Sequence, residues 1–91
     1  MESPTKFTEI LNVTLNTSSF IAIESTKPCR AFIAKCRDDA AWQMSLTNTG
    51  TTYATHRTLS GDLERTAEGG GVLFYAKATA GSPVLEVTLT K

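Results

Sequence analysis

The sequence predicts an all-β protein, a single small antiparallel β-sandwich, jelly-roll-like, with about seven to eight strands. Three observations predict it. Fifteen of the 91 residues are threonine, whose branched Cβ suits a pleated strand better than a helix. Turn-forming clusters return at intervals of about ten residues, the spacing of a sandwich. Lysine, glutamate, alanine and leucine nowhere gather into a run of helical period. A chain this short holds one domain and buries only about 60–65% of the surface its unfolded form exposes, so association would add to a thin core.

Residues 1–6 are polar, contain Pro4 and read as an extended amino-terminal arm; the sandwich domain occupies 7–91. From Phe7 to Leu15 the pattern alternates, with Leu11, Val13 and Leu15 on one side and Asn12 and Thr14 on the other, the mark of a half-buried strand. Asn16-Thr17-Ser18 turns the chain into a short apolar strand, Phe20 to Ile23. Pro28 lacks the amide that a central ladder needs and fits a loop. In the third strand, Arg30 to Arg37, Phe32, Ala34 and Cys36 face one way while Ile33, Lys35 and Arg37 face the other. Asp38-Asp39 supplies a turn.

The next strand runs Ala41 to Thr47, with Trp42, Met44 and Leu46 inward and Gln43, Ser45 and Thr47 outward. After Asn48-Thr49-Gly50, where Gly50 can take a positive φ, Thr51 to Thr58 reads as one more strand. Leu59 and Leu63 are the apolar anchors of the polar stretch that follows. Gly69-Gly70-Gly71 then opens Val72 to Thr79, and Ala80-Gly81-Ser82-Pro83 reads as a hairpin into Val84 to Thr90.

The run Gly71-Val72-Leu73-Phe74-Tyr75-Ala76 is apolar at odd and even positions alike. Successive strand residues point to opposite faces, so such a run is normally covered on both. A two-layer domain covers the inner face only. Ile33, Leu73 and Tyr75 are therefore expected on outer surface that another protein covers, with Lys35 and Lys77 beside them as polar subunit contacts; the alternative is a crossing loop, such as Ser60 to Glu68, that shields them.

Nine basic residues balance nine acidic ones, which gives no charge footprint for a general nucleic-acid binder. No apolar stretch nears the roughly 20 residues of a membrane-spanning helix, and no basic segment precedes an apolar leader. Cys29 and Cys36, on what reads as one extended segment, would lie about 23 Å apart, with their thiols on opposite faces if the strand is unbroken, too far for a disulfide unless a sharp bend follows Lys27-Pro28. Both are expected reduced, with Cys36 in the core. Asn12-Val13-Thr14 and Asn16-Thr17-Ser18 match glycosylation acceptors, as chance allows in a Thr-rich chain.

The single histidine, His56, lies among threonines with no fixed carboxylate or nucleophile beside it in sequence. It reads as a strand-surface residue, although Ser60, His56 and Asp62 could in principle assemble a triad. Two cysteines and one histidine do not make a zinc pattern, and the glycine triplet lacks the Lys-Ser/Thr of a phosphate loop. No catalytic residue, metal or cofactor is expected.

Three stretches, Arg30-Ala31-Phe32-Ile33-Ala34-Lys35-Cys36, Ala41-Trp42-Gln43-Met44-Ser45, and Leu73-Phe74-Tyr75-Ala76-Lys77-Ala78 leading through Ala80-Gly81-Ser82-Pro83 to Val84-Leu85-Glu86-Val87, give the chain a style that resembles small all-β phage virion proteins. The resemblance carries no diagnostic motif. It implies a non-enzymatic capsid decoration or cement protein, made in the host cytoplasm and located in the virion, with the major capsid protein or another virion protein as partner and a homo-oligomer, a trimer favoured, as its state. The amino-terminal arm would then reach a neighbour. The competing readings are a tail- or fibre-associated receptor- or glycan-binding module, using Trp42, Tyr53 or Tyr75 for stacking, and a small hydrolase using His56. Trp42 alternates with Met44 and Leu46 and is expected in the core.

Overall fold

A computed structural model describes residues 7–27, 29–62 and 71–90. The proposed amino-terminal arm, Pro28, Leu63 and the first two glycines of the triplet lie outside the described residues. Within them the chain forms eight strands and no helix: β1 (Phe7–Thr14), β2 (Ile21–Ser25), β3 (Ala31–Cys36), β4 (Trp42–Ser45), β5 (Tyr53–His56), β6 (Thr58–Asp62), β7 (Gly71–Ala78) and β8 (Val84–Thr90). They build two antiparallel sheets, ordered β1-β8-β3-β6 and β2-β7-β4-β5.

The pairs β1 with β8, β2 with β7, β3 with β6 and β4 with β5 follow one rule. Strands equally far from the middle of the chain meet, as in one long hairpin whose tip is the β4–β5 loop. Wrapping that hairpin adds β3 with β8 and β4 with β7. This is the jelly roll expected from the sequence. Ala80-Gly81-Ser82-Pro83 is not a hairpin, because β7 and β8 belong to different sheets and the segment crosses between them. The expected strand Thr51 to Thr58 likewise divides: Arg57 carries the chain from β5 in one sheet to β6 in the other.

The alternating residues meet between the sheets. Leu15, Phe32, Ala34, Cys36, Leu85, Val87 and Leu89 come from the first sheet and its margin, and Ile23, Trp42, Phe74, Ala76 and Ala78 from the second. The Phe74 ring lies between Phe32 and Trp42, with centroid distances of 5.2 and 5.8 Å, within the range of favourable aromatic packing. Trp42 is fully buried, and its indole N–H donates to the Arg57 carbonyl at 3.1 Å. The core tryptophan is thereby tied to the residue where the chain changes sheets.

Both cysteines are free and buried. The condition for opposite orientation, one unbroken strand, is not met: Cys29 precedes β3, which starts at Ala31, and so escapes its alternation. Burial, with a smaller contribution from the Asp38 carboxylate, raises the Cys36 thiol pKa and leaves it a poor nucleophile. Asp39 takes φ 61° in the turn after β3, and its amide donates to the Cys36 carbonyl at 2.9 Å.

Two strand irregularities matter for the surfaces. Between Ile23 and Glu24 the β2–β7 register shifts, so that Ile23 faces Phe74 and Glu24 faces Val72. Leu73 is left without an opposite residue, as at a β-bulge, and packs against the core cluster. At the other sheet edge, between Phe7 and Glu9, β1 shifts against β8. There the Glu9 carboxylate accepts the Thr26 amide at 2.9 Å and the Thr26 hydroxyl at 2.7 Å, clasping β1 to the segment that leaves β2.

Candidate contact surfaces

The five expected contact residues divide between the two sheets, and Leu73, which packs against the core cluster at the β-bulge, does not lie on an outer face as expected. Ile33 and Lys35 lie on β3 in the first sheet; Leu73, Tyr75 and Lys77 lie on β7 in the second. They do not form one patch.

On the outer face of the first sheet the registers set Ile10, Thr88, Ile33 and Ser60 side by side across β1, β8, β3 and β6. Ile10 is 64% exposed and Ile33 55%, with half-buried Thr88 between them. The next row holds Asn12, Glu86, Lys35 and Thr58. Here Arg37 spans the strands, its Nε donating to Glu86 Oε2 at 2.8 Å and its Nη2 reaching Asn12 Oδ1 at 3.5 Å. Lys35 stands 3.9 Å from Asp39, both well exposed. Exposed pairs of this kind contribute about 0–1 kcal/mol, so they border the apolar row more than they hold the fold. Ile10 escaped the sequence reading. The signal was the adjacent pair Ile10-Leu11: with Leu11 inward, Ile10 has to face out.

The second outer face is partly roofed by the chain itself. Ala22, Tyr75, Ser45 and Tyr53 share one row across β2, β7, β4 and β5. Tyr75 is half-buried, and Ser45, expected to be wet, is buried. The Ser45 hydroxyl donates to the Thr52 carbonyl at 3.0 Å and accepts the Thr47 amide at 3.2 Å, pinning both limbs of the β4–β5 loop. That loop brings Gly50, at φ 65°, against the Phe20 ring. Phe20 also sits 6.2 Å from the Tyr53 ring, and the Lys77 ammonium lies 5.3 Å over its centroid, within cation–π range. Lys77 is thus already engaged within the protomer.

Leu46, expected inward, is 77% exposed, because β4 ends at Ser45 and Leu46 enters the loop. Beside it opens a cavity of about 440 Å³, lined by Met44, Leu46, Thr47, Thr52, Tyr53 and Ala54. Tyr53 is 53% exposed at its rim.

His56 faces Trp42 across the β4–β5 ladder, with ring centroids 6.0 Å apart. Ser60 stands in the other sheet opposite Ile33, so the chain order that allowed a triad does not bring these two together. Among the described residues no group of three His, Cys, Asp or Glu side chains is placed to hold a metal ion. Comparison with protein-family models, curated proteins and solved structures gives no match.

Proposed function

We propose that this protein is a non-enzymatic structural component of a virion, a capsid decoration or cement protein that binds across joints between major capsid subunits. Its work is mechanical: apolar side chains shared with the shell add roughly 25 cal/mol of stabilisation per Å² buried. The observation that carries the reading is the pair Ile10 and Ile33, two large exposed side chains flanking Thr88 on a sheet face. Single exposed apolar residues are ordinary; two in one row of a sheet face suit a protein partner. Polar side chains around them, Lys35, Arg37 and Glu86, supply the rim that such interfaces have.

The test is saturable binding of the purified protein to shells of the virus that encodes it. Ile10→Asp and Ile33→Asp weaken binding while leaving the circular dichroism spectrum unchanged. Full binding by both variants sinks the reading.

The cavity beside Leu46, with Tyr53 at its rim, favours a second reading, a tail- or fibre-associated module for a receptor or glycan. Exposed aromatic rings stack on the apolar faces of such ligands. A glycan screen decides it: binding lost on Tyr53→Ala selects this reading over cementing.

A further inference from the structure

Each sheet has two edges, and three of the four edge strands carry a feature that discourages pairing. β1 has a register shift and Glu9, which is held by Thr26. β2 has a register shift and exposed Glu24. β6 ends in Gly61-Asp62. β5 differs. Among the described residues it pairs with β4 on one side alone, in continuous register, and Thr51, Thr52, Tyr53, Ala54 and Thr55 are all exposed. The stretch Thr51-Thr52-Tyr53-Ala54-Thr55-His56 has no Asp, Glu, Lys or Arg and no proline, and is rich in residues that favour strands. The nearest charge, Arg57, donates to the Asp39 carbonyl at 2.6 Å.

From this edge we infer that two copies of the protein pair β5 against β5, antiparallel about a two-fold axis, joining two four-stranded sheets into one of eight. A strand without Asp, Glu, Lys or Arg meets its own copy free of opposed like-charged pairs from those side chains, and a two-fold contact requires a surface that complements itself. The register follows from the pleat. Tyr53 and Thr55 share the outer face of β5, and paired residues project to the same side. With the axis at Ala54, Tyr53 faces the copy's Thr55 and Ala54 faces itself, an aromatic against a branched side chain and small against small. Leu46 and the cavity beside Tyr53 adjoin the joint. The four residues of β5, paired with their copy, bury less than the roughly 800 Å² per partner of a standard interface. The dimer is accordingly weak, and its mass depends on concentration.

Sedimentation equilibrium of the isolated protein over a wide concentration range tests this. The wild type approaches the dimer mass on concentration, whereas Ala54→Lys and Ala54→Glu, which set like charges at the axis, weaken it at least about tenfold. Mixing those two variants restores a heterodimer. Mild oxidation of Ala54→Cys gives a cross-linked dimer, since opposed strand residues lie within disulfide reach. A wild type that stays monomeric at millimolar concentration, a trimer, or a dimer indifferent to both charges overturns the inference. No shell takes part in this assay, so its failure leaves shell binding to its own test.

Discussion

The Phe20 ring occupies the space into which any side chain on Gly50 would project. Two independent constraints meet at that glycine: its φ of 65°, and the aromatic ring against its Cα. Gly81 has φ 66°, and a Cβ added there would meet nothing within 4 Å. The pair separates backbone strain from collision.

Gly81→Ala is expected to cost about 1–2 kcal/mol, the price of a left-handed alanine. Gly50→Ala costs more, by a further 1–3 kcal/mol or so as the ring is displaced. Urea unfolding of the two variants measures the difference; equal midpoints would mean that Phe20 moves aside freely.

Trp42→Phe removes the donor to the Arg57 carbonyl and part of the core volume, and should destabilise by about 1–3 kcal/mol. Because that bond ties the core to the switch between sheets, hydrogen exchange should rise first in β5 and β6. Uniform loss of protection across all strands would show that the bond has no local role.

Glu9 gives the pH dependence. Burial acts to raise its pKa, but hydrogen bonds from the Thr26 side chain and backbone, with the nearby Lys27 charge, outweigh it and leave the pKa lowered. A carboxyl held lower in the folded state than in the unfolded one stabilises the fold above its unfolded pKa and loses that contribution as pH falls through the folded value. Thermal melts should therefore show wild type and Glu9→Gln converging below about pH 4 and diverging above it. A constant gap across the acid range contradicts the clasp.

Cys29 and Cys36 should resist thiol reagents in the native protein and react in denaturant, because both are buried and the Cys36 pKa is raised. Labelling at a rate independent of stability would show an open path to the core.

Much of the fold was legible because its inner face is written in period two. Leu11-Val13-Leu15, Phe32-Ala34-Cys36 and Leu85-Val87-Leu89 each place a core-facing row without long-range information, although Leu11 and Val13 are only partly buried. The connections were less legible. A turn such as Ala80-Gly81-Ser82-Pro83 has the same composition whether it closes a hairpin or crosses between sheets, and pairing is decided by the whole wrapped chain. Alternation also fails where strands stop or bulge. Leu46 lies one residue beyond β4 and is exposed, while Leu73 sits at the register shift and turns to the core margin. Ile33 and Tyr75 were visible as outward residues, but that they lie on opposite sides of the sandwich depends on sheet membership, which no local pattern carries.

Mechanical reinforcement is tested most directly by the temperature at which shells rupture, with and without bound protein. Wild-type protein should raise it, and the double variant Ile10→Asp, Ile33→Asp, folded and equally stable alone, should leave it at the value of the bare shell. A rupture temperature unaffected by the wild type, or raised equally by the double variant, would contradict the account.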